Sequence, residues 1–145
     1  MTGKFRGAER VGDKLEVVEG IGCLYTGGKV YIVSGNGASE VLPDSAGFGI
    51  TVPCLGTIYK GDVIRYSFKE KSETYNRYYI VIEDDGIVKF KELYRDYGFS
   101  GDSYDVVRGK FTDNAGALRA VDKPLAIFET YTLLGNVYEH PELEA

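Results

Sequence analysis

Asp85-Gly86 stands between two apolar runs, Tyr78-Tyr79-Ile80-Val81-Ile82 and Ile87-Val88-Lys89-Phe90, and no other stretch restricts the fold so tightly. A two-residue connection of this kind wants a type I′ turn, whose central residues both take positive φ, and Asp-Gly supplies them at little steric cost. The flanking runs are rich in β-branched and aromatic residues, so they read as strands of one antiparallel hairpin. Upstream, Ile64, Tyr66 and Phe68 alternate with Val63, Arg65 and Ser67 after the sharp turn at Gly61-Asp62. That period of two marks a third strand with one buried face. The residues between, to about Arg77, are charged and read as a loop.

The rest of the chain agrees with a turn-rich β protein. Glycine occurs 19 times and tyrosine 12 times in 145 residues, and long helix-forming stretches are missing. Leu15–Val18 and Ile21–Tyr25 read as short strands, and Gly27-Gly28 as a turn into Val30-Tyr31-Ile32-Val33. Ser34–Glu40 reads as a loop, and residues 41–56, with Pro43 and Pro53, as irregular or edge structure. Phe90–Tyr97 leaves a short helix and a continued strand both open. Val106–Thr112 reads as a strand, Asp113–Gly116 as a turn, 117–124 as a polar connection and Leu125–Leu134 as the last long strand. In the tail, Pro141 forces an extended residue at His140, and Tyr138 and Leu143 read as docking groups. The expected fold is mostly β, all-β or α+β with little helix. An SH3-like barrel or curled antiparallel sheet around 57–93 would be extended by the N-terminal hairpin and the last strand, with the tail docked back. It would form one domain over 1–145, or two subdomains, 1–56 and 57–145, sharing a core.

Three segments together resemble the YopX family of small phage and prophage proteins. They are Lys4-Phe5-Arg6-Gly7 with Val11-Gly12-Asp13, Ile58-Tyr59-Lys60-Gly61-Asp62-Val63-Ile64, and Leu134-Gly135-Asn136-Val137-Tyr138-Glu139-His140-Pro141-Glu142-Leu143. The tail is the most specific of them, while 70–130 matches only in general character. Members often carry an additional loop before the central segment; here Val52-Pro53-Cys54-Leu55-Gly56 runs almost directly into Thr57-Ile58-Tyr59. The resemblance implies a β-rich fold, a phage-encoded origin and an oligomer. It implies no activity.

Chemistry is sparse. His140 is the only histidine and has no partner at ligand spacing, so the plain reading is a solvated turn residue. Cys23 and Cys54 show no metal or redox spacing and read as reduced thiols of a cytoplasmic protein. The acidic run Glu83-Asp84-Asp85 falls on a turn already explained, and Gly35-Asn36-Gly37 precedes no helical pattern. No catalytic residue, metal or cofactor is therefore expected. The charged N-terminus lacks the apolar core of a signal peptide, and no apolar run could span a bilayer.

One patch offers a binding surface. Lys60, Arg65, Lys69, Lys71 and Arg77 are interleaved with aromatic residues that include Tyr75 and Tyr78, as in platforms for single-stranded nucleic acid. The plainer alternative is a solvated loop with tyrosines covering the core. A net charge of −5 favours that alternative, because polyanion affinity comes largely from phosphate neutralisation. The structural reading of Lys4, Arg6 and Asp62 is likewise that they hold turns. Sheet edges and abundant tyrosine point instead to self-association. The function expected is a non-enzymatic accessory protein that binds an unidentified host or phage protein as a homo-oligomer. A nucleic-acid-binding module and an enzyme of unrecognised type stand as alternatives.

Overall fold

A computed structural model describes residues 4–52, 55–95, 103–105, 110–112, 118–120 and 131–144. Strands β1 (Phe5–Val11) and β2 (Lys14–Gly20) form a hairpin through Gly12-Asp13, and β3 (Gly22–Thr26), β4 (Lys29–Ser34) and β5 (Gly37–Val41) form a meander. A single 3-10 turn (Pro43–Ser45) leads to β6 (Gly47–Phe48), which pairs with β1. The two three-stranded sheets, ordered β2-β1-β6 and β3-β4-β5, pack on each other around Val30, Ile32, Val41 and Ala46, flanked by Phe5, Val18 and Cys23. Gly20 makes the corner between them possible: a Cβ there would lie 2.2 Å from the carbonyl oxygen of Val33.

The short hairpin of β7 (Ile50–Val52) and β8 (Gly56–Ile58) then leads into a seven-stranded antiparallel sheet. Its members are β9 (Asp62–Glu70), β10 (Glu73–Asp84), β11 (Ile87–Arg95), β12 (Ser103–Asp105), β13 (Lys110–Thr112), β14 (Leu118–Ala120) and β15 (Tyr131–Asn136). Their spatial order is β14-β13-β12-β11-β10-β9-β15. Register places Ile64 opposite Tyr79 and Val81 opposite Phe90. These four residues and Val88 bury one face against Val52 and Ile58 of the small hairpin. Tyr66, Tyr79, Phe90 and Tyr131 extend this core as a set of tilted rings, with Tyr66 and Tyr131 4.9 Å apart between centroids. Such pairs add about 0.5–1.5 kcal/mol each beyond the area they bury. Two apolar clusters result, and Val52 and Ile58 belong with the second.

The Asp85-Gly86 hairpin forms as its chemistry requires, with φ of 51° and 78°. The Gly27-Gly28 turn does too, at 60° and 78°. Several expectations need correction, and one alternative left open is decided. The charged loop before Arg77 is instead a continuation of β9 and β10, closed by Lys71-Ser72 at φ of 51° and 71°. Ser34–Glu40 is mostly strand β5, because the Ser34 hydroxyl accepts the Asn36 N–H and donates to the Gly37 carbonyl, tightening the turn to a hairpin. Strand continuation wins over helix after Phe90, with a register shift between Tyr78 and Tyr79, since each apolar residue has a cross-strand position to fill. Finally, the N-terminal hairpin does not extend the large sheet. The edge of β9 is taken by β15 and that of β1 by β6, and among the described residues no barrel closes.

Leu118–Ala120, read as connection, is strand, whereas the turn at 113–116 and residues 125–130 of the last strand lie outside the described residues. The structure is mostly β, with several antiparallel sheets. Among the described residues no helix is long and apolar enough to cross a membrane.

Candidate functional site

The three segments that carry the resemblance are far apart in sequence and meet at one place. Alternation along β1 turns Arg6 inward, where its side chain is buried to 8% exposure. Its Nη1 donates to Asp62 Oδ1 at 2.7 Å and its Nη2 to the Lys60 carbonyl at 2.9 Å. The guanidinium also lies over the Tyr59 ring, 4.8 Å from the centroid. Asp62 Oδ2 accepts the Tyr59 N–H at 2.8 Å, so one carboxylate both closes the turn and neutralises the arginine. Burial pushes the Asp62 carboxyl above its ordinary pKa, against the opposing pull of Arg6 and of the Tyr59 N–H. The Tyr59 phenol is pushed up as well, by burial and by its hydrogen bond to Glu19 on β2.

The tail completes the junction. Gly61 has φ +91°, and a Cβ there would fall 2.3 Å from the Tyr138 ring. Only glycine lets that ring rest on the turn. The Gly61 carbonyl accepts the Val137 N–H at 2.9 Å. Asn136 Oδ1 accepts the N–H groups of Tyr138 and Glu139, capping the bend much as an N-cap residue does. Glu139 Oε1 accepts from Asn136 Nδ2 at 3.0 Å, and Oε2 accepts the Val17 N–H of β2 at 3.2 Å. These two donors hold the Glu139 carboxyl below its ordinary pKa. A second 3-10 turn (Pro141–Glu144) carries Leu143 onto the outer face of the large sheet. There Val63, Tyr78, Leu93, Leu134 and Leu143 line a cleft of about 340 Å³. Tyr138 and Leu143 are thus the docking groups of the tail. Glu19 and Glu139 are members of this junction that the sequence did not single out. Only the Asn136 spacing, an Asx turn beginning two residues before Tyr138, offered a hint.

The basic and aromatic candidates do not share one surface. Arg65 lies opposite Tyr78 on the outer face, and Lys69 is in register with Thr74. Tyr75 and Arg77 alternate to the other face, in line with Tyr79. Arg77 donates to the Tyr79 hydroxyl, which also accepts from Tyr131, so this arginine serves the aromatic core. Tyr75 donates to Glu73 at 2.6 Å. Lys71 occupies the hairpin turn, and Lys60 the opposite end of β9, its carbonyl held by Arg6. The structure brings Arg65 and Tyr78 together and separates the rest.

Elsewhere, Asp84 pairs with Lys89 at 3.3 Å, and Asp85 holds its turn. His140 is exposed, 3.5 Å from Glu142. Cys23 is a half-buried free thiol beside the N-terminal core, and Cys54 lies outside the described residues. Among the described residues no three histidine, cysteine or acidic side chains converge as metal ligands would. No family model, curated protein or solved structure matches this chain.

Proposed function

We propose that this chain is a non-enzymatic accessory protein of the phage or prophage kind, acting in the host cytoplasm by binding another protein, and that it works as a homo-oligomer. One observation carries the reading. Where the three resembling segments meet, the interior polar groups are spent mainly on one another, with Arg6 Nε left over: Arg6 on Asp62 and Lys60, Asn136 on the tail, Glu139 on β2. A junction of this kind holds a scaffold together, and its Asp62 and Glu139 carboxylates are engaged by Arg6, Asn136 and backbone N–H groups. The basic residues are dispersed over two faces and both ends of a hairpin, which weakens the case for a nucleic-acid platform.

The test is the solution mass over a concentration series, with and without a short single-stranded oligonucleotide. Self-association indifferent to the oligonucleotide is the expected result. A monomer that binds it, and releases it as salt rises, would replace this reading with the nucleic-acid one.

A further inference from the structure

Hairpin geometry fixes which backbone groups of the N-terminal sheets face outward. Gly27 and Gly28 form a two-residue turn with both φ positive, so the flanking Thr26 and Lys29 are a hydrogen-bonded pair. Such pairs alternate along an antiparallel ladder. Leu24 therefore bonds to Tyr31, and the N–H and C=O groups of Cys23 and Tyr25 point away from β4 to the outer edge of the sheet. The same count along β1 and β2, from the pair Val11 and Lys14, turns the Val17 N–H outward. On β2 that donor is occupied by Glu139.

On β3 no described residue pairs with the outward groups. Ile21, Leu24 and Tyr25 are 63%, 50% and 69% exposed. Gly22–Thr26 contains no charge and no proline, the usual guards of an edge strand.

We infer that β3 is the self-association surface of this chain. A second copy adds antiparallel about a twofold axis at Leu24, so that Cys23 of each copy exchanges hydrogen bonds with Tyr25 of the other and the two Leu24 side chains meet. The strand is its own complement: its outward groups flank Leu24 symmetrically, and it carries no charge to oppose itself across the axis. A second copy is the occupant that uses this symmetry. A strand this short covers less than the roughly 800 Å² per partner of a standard interface, so the association depends on concentration. The inference rests on the proposed self-associating protein and names its contact.

Sedimentation equilibrium on the full chain tests it. The wild-type mass should rise with concentration from 16.0 kDa toward twice that value. Leu24→Lys and Leu24→Glu should each keep the chain monomeric, since like charges then face each other across the axis. An equal mixture of the two should regain the dimer, which a misfolded variant could not do. Leu133→Lys, at another exposed leucine on β15, should leave association unchanged. A wild type that stays monomeric, or a mixture no better than its components, overturns the inference. An assembly that survives Leu24→Lys also overturns it while leaving the oligomeric reading intact. Salt-sensitive oligonucleotide binding by a monomer would sink that reading itself.

Discussion

The Arg6 junction and the tip of the β9–β10 hairpin both gather charged and polar residues, and they differ in depth. At the junction an arginine, two aspartate oxygens, a tyrosine ring and a backbone carbonyl are closed off from water and engaged with one another, with Arg6 Nε left buried and unpaired among the described residues. At the hairpin tip, Lys71, Ser72, Glu73 and Thr74 are all exposed. Water satisfies them whatever their neighbours do. Composition alone therefore says little about what a charged residue contributes; the cost of removing its partner is set by burial.

The largest effect should come from Asp62→Ala, which leaves Arg6 buried without its counter-charge. Breaking a buried pair from one side costs about 3–5 kcal/mol. Urea unfolding should show a loss of that size, whereas Lys71→Ala should stay within about 0.5 kcal/mol of wild type. Equal effects at the two sites would break the comparison.

Gly61→Ala comes next. A side chain at φ +91° is strained, and the added Cβ meets the Tyr138 ring. The expected loss is about 2 kcal/mol. Removing the ring should relieve part of it, so Gly61→Ala with Tyr138→Ala should cost less than the sum of the two single changes. Hydrogen exchange at the Val137 amide, bonded to the Gly61 carbonyl, reports tail release directly. Additive losses would mean that ring and turn are not coupled.

A gain is expected at the tip. Lys71 and Ser72 hold positive φ without being glycine or asparagine. Relieving one left-handed residue is worth about 1–2 kcal/mol, and glycine gives back about 0.4–1 kcal/mol through the unfolded chain. Ser72→Gly should therefore stabilise by about 0.5–1 kcal/mol, seen as a higher unfolding midpoint. A lower midpoint would show that the serine makes a contact the turn geometry does not explain.

That turn also shows what the sequence could and could not disclose. Asp85-Gly86 and Gly27-Gly28 were legible because their residues adopt positive φ cheaply. Lys71-Ser72 adopts it only because the long ladders on either side pair Glu70 with Glu73 and onward to Val63 with Ile80. No local signal marks it, and the charges around it imitate a loop. The alternation of Ile64 and Tyr66 was legible, since a strand with one buried face writes its period into the sequence. Arg6 and Asp62 lie 56 positions apart, and no periodicity joins them. Their pairing follows from the fold, as does the use of Glu139 to occupy an outward donor of β2. Tyr138 and Leu143 were recognisable as docking groups because a short tail closed by Pro141 offers few other apolar anchors.

Glu139 gives the smallest effect and the finest test, because it is exposed yet belongs to the junction. Two donors, Asn136 Nδ2 and the Val17 N–H, hold its carboxyl below the ordinary value. In the window between the folded and unfolded pKa the unfolded chain binds more protons, so stability rises with pH there. The contribution is complete above the ordinary value of 4.5 and is lost as pH falls through the depressed one. Glu139→Gln keeps one acceptor oxygen and turns an amide N–H₂ toward the other donor. It should cost about 0.5 kcal/mol at neutral pH, since exposure to solvent limits what such a contact contributes. As pH falls through the depressed value, wild type should lose that advantage. Urea midpoints of the two proteins should therefore separate at neutral pH and draw together in acid. Curves that stay parallel down to acid pH would mean that the tail is held by Tyr138 and Leu143 packing alone, and that Glu139 contributes nothing to the β2 edge.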